Sequence, residues 1–168
     1  GGVGKTTLGQ VVYADSRVVQ YFDLRAWVCV SEYFDVKNIT RKIITSLTRS
    51  CCRHIQDGGL QGALVDHVKE KSVFLVLDDV WNERRDYWEL LCMPLLASKQ
   101  CSIIVTTRSK VVARLVQTMP FYNLKCLGPD DSWSLFKQAA FVEKGIATPV
   151  NFVSIGRSIT EKCKGLPL

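Results

Sequence analysis

Gly1-Gly2-Val3-Gly4-Lys5-Thr6-Thr7 opens the chain and reads as most of a phosphate-binding loop. The full pattern is G-x-x-x-x-G-K-[ST], and Gly4, Lys5 and Thr6 fill its last three places. The pattern's first glycine would stand before Gly1, so the sequence reads as a fragment that begins inside the loop. Glycines let the backbone curl until successive N–H groups converge on phosphate oxygens. The helix that follows adds the positive end of its dipole. Lys5 is then placed to reach the β- and γ-phosphates, and the Thr6 hydroxyl to coordinate magnesium. The plainer alternative is a glycine-rich turn ahead of a helix. A second motif is needed to decide between them.

Val73-Phe74-Leu75-Val76-Leu77-Asp78-Asp79 supplies it. A continuous apolar run reads as a strand buried on both faces of a parallel sheet. Acids at its C-terminal end sit where ligands bind in open α/β sheets. Asp78 is the expected magnesium-holding aspartate, acting directly or through water. Asp79 is placed to orient or deprotonate an attacking water. An isolated Asp-Asp pair is more often a turn or a helix cap. The apolar strand before it and the phosphate loop upstream argue for the chemical role. The implied cofactors are ATP or ADP and Mg2+.

Composition narrows the class. The 168 residues are 47% hydrophobic, enough for a real core and against disorder. Net charge is +6, yet the 22 basic residues are scattered among 16 acidic ones. The densest basic stretch, Lys37 to Arg53, spaces Arg41, Lys42 and Arg49 like a solvated helix face. No aromatic platform accompanies it, so direct nucleic-acid binding is not expected. Seven cysteines (Cys29, Cys51, Cys52, Cys92, Cys101, Cys126 and Cys163) form no C-x-x-C pair, which disfavours zinc. Cys29, Cys101 and Cys126 lie in apolar runs and are expected as buried small hydrophobes. Neither a signal peptide nor a membrane span is visible, so the expected setting is reducing and cytoplasmic.

Alternation of strands and helices predicts a parallel α/β sheet. The spacing predicts helices from about Lys5 to Val18, Val36 to Leu47, Leu60 to Val68 and Trp88 to Leu96. Pro94 should kink or shorten the last of these. Strands are expected at Leu24 to Val30, Val73 to Asp79, Cys101 to Thr106 and Phe121 to Leu127. Ser50 to Gly59 reads as a loop, and Ser109 as the cap of a helix to about Gln117. From Asp130 onward the pattern is helical, with Trp133, Phe136 and Ala140 on one face. A last helix runs from Phe152 to Cys163, stopped by Gly165 and Pro167. The expected domains are therefore 1–127, a P-loop nucleotide-binding domain, and 128–168, a partial helical subdomain.

A phosphate loop alone leaves many families open. The sequence lacks the L-S-G-G-Q run of ABC ATPases, the N-K-x-D motif of GTPases and the D-E-A-D acids of many helicases. Leu75-Val76-Leu77-Asp78-Asp79-Val80-Trp81 resembles the kinase-2 motif of plant NB-ARC, or NBS-LRR, disease-resistance proteins. Further blocks follow in that family's order. They are Phe22 to Ser31, Cys101 to Ser109, Tyr122 to Leu127 with Ser132 to Phe136, and Gly165-Leu166-Pro167-Leu168, the family's G-L-P-L. The resemblance covers the whole chain. Trp81 after the acids favours the coiled-coil, non-TIR subclass.

The resemblance implies a P-loop NTPase domain followed by part of a small helical ARC1 subdomain. It also implies that the first, central strand of the sheet is missing from the fragment, its place lying between the Asp78 strand and the Cys101–Thr106 strand. Arg108 falls at the family's sensor position near the γ-phosphate, and Pro167 near the adenine or ribose. An ordinary helix-start arginine and a helix-stopping proline are the plainer readings of these two. Trp27 and Trp133 read as core aromatics. The implied function is an ADP/ATP switch of an intracellular plant immune receptor, reset by slow hydrolysis. In the parent protein it implies contacts with leucine-rich repeats and an N-terminal signalling domain, and self-oligomerisation on activation. The competing classes are a fast AAA-like remodelling ATPase and a nucleotide-binding assembly module without turnover.

Overall fold

The computed structural model describes residues 2–30, 33–50, 55–141 and 150–167. Gly1, Ser31, Cys51, Cys52, Arg53 and Leu168, singled out above, lie outside the described residues. The chain divides into two compact units, Thr6–Phe121 and a second made of Tyr122–Leu168 with Gly1–Lys5.

The larger unit is built on a parallel sheet in the order β1-β2-β3, with β1 at Leu24–Cys29, β2 at Ser72–Asp78 and β3 at Gln100–Val105. Pairing runs from Leu24 opposite Val73 to Cys29 opposite Asp78, and from Ser72 opposite Gln100 to Leu77 opposite Val105. β2 is central and apolar on both faces, as its sequence requires. No strand intervenes between β2 and β3. This corrects the expectation of a gap there: the two strands are hydrogen-bonded neighbours, which satisfies backbone groups that an apolar strand would otherwise leave as an open edge.

Residue alternation then sorts the two faces. Ala26, Val28, Val73, Leu75 and Leu77 point one way and are almost fully buried. They meet α3 (Val36–Thr48) and α4 (Leu60–Val68), which bring Ile39, Ile43, Leu60 and Leu64. Helix α3 starts where Asp35 accepts from the Lys37 and Asn38 amides. A short 3-10 turn, Asp57–Gly59, lies within the expected loop before α4. Helix α5 (Arg85–Cys92) gives way to a 3-10 segment, Met93–Ala97, at Pro94, where a proline cannot continue the helix.

The opposite face carries aromatics. Trp27 packs edge-on to Tyr13 of α1 (Lys5–Ala14), and Phe74 lies beside both Tyr13 and Phe22. Gly9 of α1 is buried against Trp27; an added Cβ would stand 3.1 Å from the indole. Trp27 is a packing residue, as expected. The single helix expected from Lys5 to Val18 is two. It breaks at Asp15, whose side chain caps α2 (Ser16–Tyr21) through the Arg17 amide.

Cys29 and Cys126 are exposed, against expectation, and Cys101 is half-buried. Cys29 alternates with the buried Val28 and Val30 and so faces the other side of the chain. Burial, with a smaller push from Cys101, raises the Cys92 thiol to about 12, and burial raises Cys101 to about 11. Both thiols stay protonated near neutrality and are poor nucleophiles.

In the smaller unit, α7 (Pro129–Ala140) and α8 (Val150–Lys162) pack together. Pro129 opens α7 with Asp130 and Asp131 in its first turn, both favourable at a helix N-terminus. Trp133 is 9% exposed and stacks on Phe136, so it too is a core aromatic. The strand expected at Phe121 to Leu127 does not form. Its apolar residues are spaced for a strand, but its N–H and C=O groups find no ladder among the described residues. It is tied instead by the Leu127 amide donating to the Gly165 carbonyl at 2.8 Å.

Candidate functional site

The apolar run of β2 stops at Asp78, so the strand delivers a carboxylate at its C-terminal edge. Asp78 is only 5% exposed. A buried carboxylate costs several kcal/mol unless it is paired or hydrogen-bonded. Hydroxyls surround this one. Thr6 Oγ1, in the first turn of α1, stands 3.0 Å from each carboxylate oxygen and donates to it. Thr106 Oγ1, just past β3, donates to Oδ1 at 2.6 Å. Asp78 and Thr6, expected as a metal-holding pair, are therefore brought together.

The next residue turns away. Asp79 has φ +59°, a left-handed backbone that aspartate tolerates better than most residues. Its amide donates to Thr106 Oγ1 at 2.9 Å, and the Val80 amide donates to the Thr106 carbonyl at 2.9 Å. The turn sends the Asp79 carboxylate to Arg108, with Oδ1 3.4 Å from Nε. The Arg108 guanidinium also lies over the Trp81 ring, 5.2 Å from its centroid. Arg108 and Asp79 are 50% and 41% exposed, and an ion pair this open is worth about 0–1 kcal/mol. An incoming anion can compete for the arginine at little cost. Helix α6 (Lys110–Val116) begins immediately after. Ser109 caps it by accepting from the Val111 and Val112 amides, and donates to Glu83 at 2.9 Å.

Of the phosphate loop, Gly2 and Gly4 have φ +81° and +89°, backbone that side chains rarely adopt. Lys5 and Thr7 lie in the first turn of α1, and Val3 is half-buried. Pro167 lies against the loop: an added Cβ on Gly4 would stand 3.9 Å from its Cγ.

The oxygen-only set of Thr6 and Asp78 fits a hard cation such as magnesium, which takes one or two carboxylates and leaves its other positions to water and phosphate. Among the described residues no cluster of three or more His, Cys, Asp or Glu side chains is placed to hold a metal. No helix among the described residues is long and apolar enough to cross a membrane.

Two partners were not foreseen in the sequence. Thr106 bridges both acids, and its signal was weak: a hydroxyl residue ending a strand beside the acid-bearing one. Trp81, a subclass marker in the sequence, is also the surface under Arg108.

Residues 1–145 match the NB-ARC domain family. RGA4 and RGA2 of Solanum bulbocastanum, both named as disease resistance proteins, are 41% and 39% identical to it over the whole chain. Disease resistance RPP13-like protein 1 of Arabidopsis thaliana is 40% identical, again over the whole chain. The chain spans 17%, 17% and 16% of the length of these three relatives. A glycine-rich loop opening a helix, a buried strand-end acid touching that helix, and a family match over most of the sequence agree, and the chain belongs to the NB-ARC family of nucleotide-binding domains.

Proposed function

We propose that the chain is the ADP/ATP switch of an intracellular plant immune receptor of the coiled-coil subclass. The observation that carries this reading is the Thr6–Asp78 pair, in which a phosphate-loop hydroxyl meets a buried strand-end carboxylate. Gly1, Gly2, Val3, Gly4 and Thr7 shape the loop whose amides receive phosphate oxygens. Lys5 reaches the β- and γ-phosphates. Thr6 and Asp78 hold Mg2+. An ion held there would offset the negative charge of the phosphates.

Asp79 orients the attacking water or accepts its proton. Arg108 exchanges Asp79 for the γ-phosphate, so a triphosphate and a diphosphate are told apart by a charge-assisted hydrogen bond. Pro167 borders the adenine or ribose. Residues 1–127 act as the nucleotide-binding domain and 128–168 as part of ARC1.

In the parent protein the diphosphate favours a closed state, in contact with leucine-rich repeats and an N-terminal signalling domain. The triphosphate favours an open state that self-associates. Nucleotide can shift these populations only through different affinities for the two states. Hydrolysis resets the switch, so turnover is slow. A steady-state assay of phosphate release tests this. A turnover below about one per minute, against the median enzyme's roughly 10 per second, fits a switch. Turnover at ordinary enzyme rates would favour a remodelling motor, and binding without any turnover an assembly module.

A further inference from the structure

We propose that Thr106 is the positioning residue of both acids: one hydroxyl oxygen sets the Asp78 carboxylate and the Asp79 turn together. Its backbone already brackets the pair, donating to the Leu77 carbonyl at 3.0 Å and accepting from the Val80 amide at 2.9 Å. Those bonds fix the chain on either side and orient neither acid. The hydroxyl does the rest. Its single proton goes to Asp78 Oδ1 at 2.6 Å, a length typical of a hydroxyl on a carboxylate. Its lone pairs are then left for a donor, and the Asp79 amide fills that place at 2.9 Å.

The side chain is itself constrained. Thr106 is 7% exposed. Its methyl Cγ2 lies under α1, 4.0 Å from where a Cβ on Gly9 would stand. The methyl is packed there, and the two hydrogen bonds, to Asp78 Oδ1 and from the Asp79 amide, hold the hydroxyl where it stands. The result is a division between neighbours: Asp78 faces Thr6, and Asp79 faces Arg108. The consequence for magnesium rests on the nucleotide reading above; the geometry does not.

The test compares Thr106→Val, which keeps the shape and drops the hydroxyl, with Thr106→Ser, which keeps the hydroxyl and drops the methyl. The first readout is amide hydrogen exchange of the full chain without nucleotide. Valine should speed exchange at Asp79 and leave Val80 slow, because Val80 is held by the backbone of residue 106. Serine should leave both as in wild type. The second readout is the Mg2+ concentration that half-saturates binding of a fluorescent ATP. Valine should raise it about tenfold, the scale of one hydrogen bond to a charged group, and serine should restore it.

Unchanged exchange at Asp79 in the valine variant would overturn the proposal, as would equal effects of valine and serine. If the valine variant does not fold, the serine variant decides alone. Wild-type exchange and wild-type Mg2+ dependence support the hydroxyl's role, and fast Asp79 exchange with serine refutes it. Failure of the wild-type protein to bind ATP would refute the nucleotide reading, while the exchange readout would still judge Thr106.

Discussion

Asp78 and Asp79 are adjacent in sequence and live in different worlds. Asp78 is buried among hydroxyls, and Asp79 is part-exposed beside a guanidinium. Their substitutions should therefore separate. Asp78→Ala should reduce the magnesium dependence of ATP binding. Asp79→Ala should leave binding within about twofold and slow hydrolysis by roughly 10²-fold or more, the usual scale of a general base. Calorimetry and phosphate-release assays on the same preparations check this, and an equal loss of binding in both would refute the division.

A second residue-scale prediction concerns Asp15. The Arg17 side chain, and then its amide, hydrogen-bond the Asp15 carboxylate and lower its pKa to about 2. A depressed folded-state value means that its contribution to folding is present above the unfolded value near 3.9. That contribution fades as pH falls toward about 2. Arg17→Ala should return the carboxyl toward its ordinary range in an NMR titration. A carboxyl still titrating near 2 in that variant would contradict the assignment.

At the scale of elements, the pairing of α7 and α8 depends on a missing side chain. A Cβ on Gly156 would collide with Trp133 Cζ3. Gly156→Ala should cost about 1–3 kcal/mol by overpacking, against a helix-propensity gain of at most ~1 kcal/mol. The helical unit should melt earlier by circular dichroism. Gly165→Ala should cost more, because φ is +74° and the new Cβ would strike the Leu127 carbonyl oxygen. A melting temperature equal to wild type for both would show that this packing does not form.

The same elements show what a sequence can disclose. Helix α3 is legible because Ile39, Ile43 and Leu47 keep helical spacing, while its Asp35 cap appears only in the fold. Strand β2 was legible because an apolar run that short has few other homes. The break at Asp15 had a local signal, an aspartate before a serine, but a continuous helix satisfied the same periodicity. The Phe121–Leu127 segment has strand spacing but no strand, because a strand exists only with a neighbour and pairing is a tertiary fact. Strand order failed for the same reason: nothing local states that β3 lies beside β2.

For the whole molecule, the candidate site was legible as residue types and not as contacts. The phosphate loop and the two acids announce their chemistry by spacing. The Thr6–Asp78 contact, separated by 72 positions, was implied only by the two motifs acting together. The Thr106 bridge and the Arg108–Trp81 stack required the fold, since neither residue type marks a site by itself. On the proposed reading, this chain binds a nucleoside phosphate through Lys5 with magnesium at Thr6 and Asp78. The most direct test is a calorimetric titration of ADP and ATP into the protein, with and without Mg2+, for wild type and Lys5→Arg. Lys5→Arg replaces a compact ammonium by a planar guanidinium. Binding should depend on magnesium and should weaken about tenfold or more, roughly 1.4 kcal/mol, in the variant. Wild-type protein that binds neither nucleotide, or a variant that binds both with unchanged affinity, would contradict that reading.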